Sequence, residues 1–194
     1  AGTLKPAGKI PGKSADEKGK PMNYVCNGSY KSFVCLDFET TGLSGSKDNV
    51  TEIGAVKVLD GEVVQRFSTL VNPGRPIPPR VVALTGITND MVEDYPRIYE
   101  LLPMFLGFLG NLPLVCHNAK FDCKFLERDL GAMGRTIENP VDDTLQLSRL
   151  KLKGLPSYKL GYLTDYFSIE LNDAHRAWCD AEATANLYLR LQAV

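Results

Sequence analysis

Phe33-Val34-Cys35-Leu36-Asp37-Phe38-Glu39-Thr40-Thr41-Gly42-Leu43 is the stretch on which the fold of this chain turns. Phe33 to Phe38 is a short apolar run rich in β-formers, the pattern of a buried strand. Asp37 and Glu39 stand two apart, and the two-residue period of a strand puts both carboxylates on one face, at its C-terminal end. In open α/β sheets ligands bind outside that end. Two carboxylates held together on a buried strand repel each other and are costly unless cations neutralise them. An all-oxygen ligand set suits Mg²⁺ or Mn²⁺ and not zinc. From this pair alone a second reading stands equally: one carboxylate caps the Thr40-Thr41-Gly42 turn and the other is solvated.

Downstream, Val50 to Leu59 and Glu62 to Val71 are β-rich runs joined by Asp60-Gly61, the signature of a tight hairpin. Helical pattern then runs from about Pro79 to Leu109, interrupted at Thr85-Gly86 and at Pro96. Pro113 to Cys116 reads as a second buried strand. Ala119 to Leu130 reads as an amphipathic helix with Phe121, Phe125 and Leu126 on one side. Shorter helices fit Thr144 to Leu150 and Tyr158 to Tyr166. A final helix, Trp178 to Leu191, repeats Ala183, Leu187 and Leu191 every four residues. A strand, a hairpin, then helices alternating with a strand predicts an α/β fold with a mixed central sheet flanked by helices.

Upstream, residues 1–31 are dense in Gly, Pro, Lys and Ser without apolar periodicity, and read as a tail or linker before a folded unit over 32–194. The 194 residues suit one domain, large enough to fold without disulfides. With 44% hydrophobic and 23% charged residues, the composition excludes a largely disordered chain, a collagen-like repeat and a coiled coil. The most apolar stretch, Leu101 to Leu112, is too short to span a bilayer and contains Pro103. The leader has no apolar segment of the secretory type. Five cysteines without a Cys-x-x-Cys pair read as buried free thiols of a cytoplasmic protein. The net charge of −1 is uneven: residues 1–31 carry six lysines against two acids, leaving 16 basic against 21 acidic residues beyond them. That acidic remainder argues against coating duplex DNA by bulk electrostatics, but not against taking a strand end through bound cations.

Three further residues carry candidate chemistry. Asp122 falls in the first turns of its helix, after Asn118, which fits an N-cap; acids are also favoured there by the helix dipole alone. Asp180 lies on the last helix, with His175 five residues before it at the end of a loop-like approach, Leu171 to Ala174. A histidine beside an activated water can take its proton, although a lone histidine more often packs or caps. The only other histidine, His117, adjoins Asn118. Asp142 and Asp143 read as the capped start of a helix, and Trp178 as packing. Lys120 and Lys124, like Lys151, Lys153 and Lys159, read as solvated faces.

Taken together, Phe33–Leu43 (FVCLDFETTGL), Leu114–Leu126 (LVCHNAKFDCKFL) and Ala174–Thr184 (AHRAWCDAEAT) resemble the three motifs of the DnaQ-like 3′–5′ exonucleases. Thr51–Lys57 (TEIGAVK) and Leu84–Asn89 (LTGITN) match supporting segments, so the likeness runs from about Lys31 to the C-terminus. Three ordered motifs are a specific signal. The His-x-x-x-x-Asp form of the third resembles the His-bearing branch; the Tyr-bearing branch would have Tyr where this chain has Arg176.

The resemblance implies an RNase H-like fold and phosphodiester hydrolysis with two divalent cations, Mg²⁺ or Mn²⁺. It implies that Asp37 bridges both cations, that Glu39 and Asp180 hold the one serving the nucleophile, that Asp122 helps to place the other, and that His175 is the general base. It further implies that Phe38, Thr40, Thr41, Thr85, His117, Asn118 and Phe121 contact the terminal nucleotide. The nearest likeness is to proofreading exonuclease domains and subunits of bacterial replicative DNA polymerases. The expected substrate is therefore a single-stranded or frayed DNA 3′ end, and a polymerase or another replication or repair module the expected partner. An exoribonuclease of the RNase T or oligoribonuclease kind keeps the same chemistry on another sugar. A non-catalytic binding module would be signalled by loss of a metal acid or of the histidine, and all five are present.

Overall fold

A computed structural model describes residues 22–171 and 174–194. β1 (Phe33–Thr40), β2 (Val50–Leu59) and β3 (Glu62–Leu70) form an antiparallel meander, and β4 (Leu114–Cys116) and β5 (Val141–Asp143) add in parallel to its other side. The sheet order is β3-β2-β1-β4-β5, a mixed sheet as the sequence predicts. The Asp60-Gly61 turn has positive φ at both residues (51° and 86°), the conformation that suits the right-handed twist of a two-residue hairpin.

The period of β1 divides the molecule. Val34, Leu36 and Phe38 face a core shared with α3 (Ile98–Leu109) and α4 (Ala119–Ala132). Phe33 and Cys35 face a second core, shared with Leu147 of α5 (Thr144–Lys151), Leu163 of α6 (Leu160–Phe167) and Leu187, Tyr188 and Leu191 of α7 (Ala177–Leu191). Asp37 and Glu39 continue the Phe33–Cys35 row, so the apolar interface between β1 and α7 gives way to carboxylates at the strand's end. Around the edge of β2 and β3 lie α1 (Pro79–Thr85) and α2 (Asn89–Val92), whose Val81 and Val92 join Ile77 and Ile87 in a third small core.

Of the expected tail, residues 1–21 lie outside the described residues. Residues 22–31 run along the open edge of β5: Val25 N–H donates to Val141 O at 2.8 Å, and Val141 N–H to Asn23 O at 2.8 Å. Asp142 does not cap a helix as its sequence context predicts. It lies in β5, a strand too short for its pattern to show, and accepts from Asn27 N–H, Gly28 N–H and the Tyr188 hydroxyl. Asp143 does cap α5, accepting from Leu145 N–H at 2.9 Å. Cys35, Cys116, Cys123 and Cys179 are buried free thiols, whereas Cys26 is exposed.

Candidate active site

Four of the five predicted catalytic groups, Asp37, Glu39, His175 and Asp180, line one cavity of about 510 Å³. Two come from β1 and two from the start of α7. The approach of α7 depends on Gly54 of β2, which pairs with Asp37 in register. A Cβ on Gly54 would lie 2.1 Å from the backbone of Ala177 and Trp178. The missing side chain is what allows the first turn of α7 to rest on the sheet beside the carboxylates. Next along β2, Glu52 pairs with Glu39 in register and is fully buried. Its carboxylate accepts from Ala177 N–H at 3.0 Å, satisfying a donor of the first helical turn, and from the Arg176 guanidinium at 2.9 Å.

Asp180 then meets the strand acids. Ligand atoms of Glu39, His175 and Asp180 lie within 4.8 Å of one another. His175 adopts the left-handed region (φ 69°), uncommon for a residue with a side chain, and its N–H donates to Asp180 Oδ2 at 3.1 Å. The fifth predicted group, Asp122, sits behind this cavity at the start of α4, where Oδ1 accepts the N–H of Phe38 at 2.9 Å.

Burial is the main force on the protons of this cluster. It pushes Asp37 well above the usual carboxylate range, helped by Asp122, Asp180 and Glu52. It pushes Glu39 up to about 9, with Asp37, Asp180 and Glu52 adding to the rise and Arg176 opposing it. Asp122 and Asp180 are raised as well, again chiefly by burial. Burial that disfavours carboxylate charge is offset when a hard divalent cation supplies counter-charge, and Glu39, His175 and Asp180 bring ligand atoms close enough to share one.

The predicted substrate contacts divide into two groups. Phe38, His117, Asn118 and Phe121 line the cavity with the acids. Asn118 stands at the N-cap of α4 but does not cap it with its side chain; its backbone is left-handed (φ 66°), and its N–H donates to Asp143 Oδ1. His117 has both ring nitrogens engaged. Nε2 lies 3.0 Å from Tyr158 O, which can only accept, and Nδ1 lies 2.8 Å from Thr144 Oγ1. Burial lowers its pKa, which favours the neutral ring protonated at Nε2 and accepting at Nδ1. Thr40, Thr41 and Thr85 do not line this cavity. The Thr40 and Thr41 hydroxyls donate to Gly42 O and Asp48 Oδ1 in the loop after β1, and the Thr85 hydroxyl donates to Val81 O within the last turn of α1.

The cavity also gathers residues that the motifs do not contain: Arg149 of α5, and Tyr158, Lys159 and Leu160 at the entry to α6. Lys159, read from sequence as part of a solvated face, is on this wall. Lys124 also has a place: its Nζ lies 4.3 Å from the centre of the Phe121 ring and donates to Leu43 O, holding the loop after β1. Lys151 Nζ donates to Leu191 O and Val194 O at the end of α7.

The RNase T exonuclease family matches residues 34–188, a span that holds every residue lining the cavity. The chain belongs to this exonuclease family. Such exonucleases are hydrolytic enzymes that use divalent metal ions, and the acid cluster is of that kind. Among solved structures, exonuclease X in complex with 5′ overhanging duplex DNA is 30% identical, with a TM-score of 0.70 over 83% of this chain and 91% of that one. E. coli exonuclease I in complex with a dT13 oligonucleotide is 21% identical, with a TM-score of 0.70 over 82% of this chain and 41% of that one; it supports the fold alone.

In its sequence relatives the matching region is a small part of a larger protein. DNA polymerase III PolC-type of Clostridium perfringens is 45% identical over 175 residues, covering 88% of this chain and 12% of that protein. The PolC-type polymerase of Caldanaerobacter subterraneus is 46% identical over 159 residues, covering 82% and 11%. The chain thus spans about an eighth or less of these relatives' length. No helix among the described residues is long and apolar enough to cross a membrane.

Proposed function

We propose that this exonuclease domain removes nucleotides one at a time from the 3′ end of single-stranded or frayed DNA, releasing nucleoside 5′-monophosphates beside a DNA polymerase or another replication or repair module. The observation that carries this reading is the meeting of Asp37 and Glu39 with Asp180 and His175 at one open cavity, with Asp122 behind it. The polymerase likeness of its relatives and the overhang-bound structure of exonuclease X support the choice of a DNA end. The folded unit in this reading covers residues 32–194, with residues 22–31 laid against its β5 edge and the remaining leader serving as a connector.

Asp37, Glu39, Asp122 and Asp180 would hold the divalent cations, Mg²⁺ or Mn²⁺. Such cations supply Lewis acidity that makes water a nucleophile near neutral pH and offset the charge of the phosphodiester. A ring nitrogen of His175 takes the proton of the attacking water. The new P–O bond forms from that water, the bond to the 3′ oxygen of the preceding nucleotide breaks, and that oxygen takes a proton from solvent while His175 returns its own to solvent.

Phe38 and Phe121 offer apolar and aromatic surface to the terminal base, and Asn118 offers polar contacts. Arg149 and Lys159 supply positive charge to the strand's phosphates. His117 holds the Tyr158 carbonyl, and through it the wall that carries Lys159. Thr40 and Thr41 act through the loop after β1 that their hydroxyls tie, and Thr85 through the end of α1.

The test is a degradation ladder on 5′-labelled DNA and RNA oligonucleotides of matched sequence, with Mg²⁺, Mn²⁺ or chelator, beside His175→Ala. The expected result is stepwise shortening from the 3′ end, faster on DNA, abolished by chelator and cut at least a hundredfold in the variant, of the order expected for a general base. Faster shortening of RNA would move the substrate to the exoribonuclease class. No shortening of either strand by folded protein would overturn the enzymatic reading.

A further inference from the structure

Half of the catalytic constellation is not fixed by the strand that carries Asp37 and Glu39. Asp180 and His175 belong to the segment that opens α7, and their distance from β1 depends on how that segment meets β2. Arg176 and Ala177 lie between His175 and Asp180, and both are bound to a single side chain, Glu52. Both oxygens of the Glu52 carboxylate are engaged. Oε1 accepts from Arg176 Nη2 at 2.9 Å and Oε2 from Ala177 N–H at 3.0 Å, with Arg176 Nε 3.2 Å from each oxygen. A carboxylate so occupied is a poor metal ligand, and Glu52 is absent from the Glu39–His175–Asp180 cluster although it pairs with Glu39 in the ladder.

We propose that Glu52 and Arg176 form a latch that sets the α7 half of the site against the β1 half, making both of them positioning residues of the reaction. The latch works at a point where small errors matter. Gly54 lets the helix backbone approach β2 without an intervening side chain, so the Glu52 contacts determine where along the strand the first turn comes to rest. With the latch in place, Asp180 faces Glu39 and the His175 ring overhangs the same cavity. Without it, the Ala177 N–H loses its acceptor and the segment can slide or lift, separating the two pairs of ligands. A misplacement of about 1 Å at reacting groups can cost on the order of a hundredfold in rate.

This inference rests on the exonuclease reading, and wild-type protein assayed in parallel separates the two: an inactive wild type defeats that reading, whereas an active one permits the test. Glu52→Gln, Arg176→Met and the double variant are compared on one 5′-labelled DNA oligonucleotide. The measured quantities are kcat, KM and the Mn²⁺ concentration giving half-maximal rate. The expected result is a fall in kcat of about ten- to a hundredfold in each single variant. KM should stay within about twofold of wild type, and the half-activating Mn²⁺ concentration should rise about tenfold. The double variant should be no worse than the worse single, as for two residues in one contact. Arg176→Lys, which keeps the charge, should recover part of the loss.

The direction of the Mn²⁺ effect in Arg176→Met is decisive. Loss of a positive charge beside Glu39 would by itself strengthen cation uptake, so a lower half-activating concentration would overturn the proposal. A reduced folded fraction with wild-type kcat and Mn²⁺ dependence per folded molecule would overturn it too, by showing that the pair serves stability only. If Glu52→Gln does not fold, the two Arg176 variants carry the test, because that side chain is 37% exposed and Arg176→Lys keeps a cation beside the buried Glu52 carboxylate.

Discussion

The two halves of the acid cluster are held in place by different physics. Asp37 and Glu39 are fixed by the β1 ladder: they pair with Gly54 and Glu52 of β2, and earlier in the same strand Val34 and Cys35 pair with β4, so they could move only with the sheet. Asp180 and His175 are fixed by docking. The first turn of a helix rests on a glycine, and one buried carboxylate ties it there. A site assembled this way has one rigid wall and one placed wall, and the placed wall is the one that changes at Glu52 and Gly54, on a strand that carries none of the metal-ligand candidates, can disturb.

Breaking the rigid half should have the largest effect. Asp37→Asn should lower the exonuclease rate by about a thousandfold, at the upper end of what removal of a single preorganised electrostatic group costs. It should raise the melting temperature in chelator, because a neutral amide replaces a buried carboxylate set against Asp122 and Asp180. Ladder assays and thermal melts on the same preparation check both signs.

Next in size is the placed half. Gly54→Ala puts a methyl group where α7 backbone now lies 2.1 Å away. Because the neighbour is backbone and not a flexible side chain, the helix must shift. The expected outcome is a rate loss of about a hundredfold with a destabilisation of about 1–3 kcal/mol, read from kinetics and chemical denaturation.

The electrostatic link between the halves predicts a pH dependence of stability. Glu39, raised to about 9 from an ordinary 4.5, binds more protons in the folded than in the unfolded protein across that interval. Its contribution is present below about pH 4.5 and is lost as the pH rises towards about 9; Asp37, Asp122 and Asp180 act in the same direction. Melting temperature in chelator should therefore fall from pH 5 to pH 9, and the gain on adding Mn²⁺ should grow over the same range.

The smallest effect belongs to the wall opposite the acids. His117→Ala removes the tie between β4 and the Tyr158 carbonyl and should raise KM for the oligonucleotide by about tenfold with less change in kcat. That is the split expected of a residue that shapes binding and stands apart from the chemistry.

The sheet, the hairpin turn and the strand-borne acids were legible because each is a local pattern: period two along β1, Asp-Gly between β-rich runs, an apolar repeat along α7. The β5 strand was not, since three residues cannot display a period, and Asp142 beside a real cap looked like part of it. Asp122 and Asp180 could be found only through the motif resemblance, because an acid in a first helical turn has an ordinary explanation. Glu52 and Gly54 were hidden differently. An acid and a glycine inside a β-rich run look like weak strand formers, and the reason for both lies some 120 residues away in sequence, at the start of α7. The threonines at 40, 41 and 85 show the converse: their motif positions say nothing of the loop carbonyl, carboxylate and helix carbonyl that take up their hydroxyls.

The central claim is that Asp37, Glu39, Asp122 and Asp180 form one cluster of buried carboxylates, each pushed upward in pKa chiefly by burial and Glu39 to about 9, that takes up divalent cations with release of protons. Calorimetric titration of Mn²⁺ into wild-type protein and into Asp37→Asn, at pH 7 in buffers of different ionisation enthalpy, tests it most directly. The account predicts saturable binding by the wild type with release of protons to the buffer, and loss of most of that binding in Asp37→Asn. Binding without proton release, or binding that survives in Asp37→Asn unchanged, would contradict it.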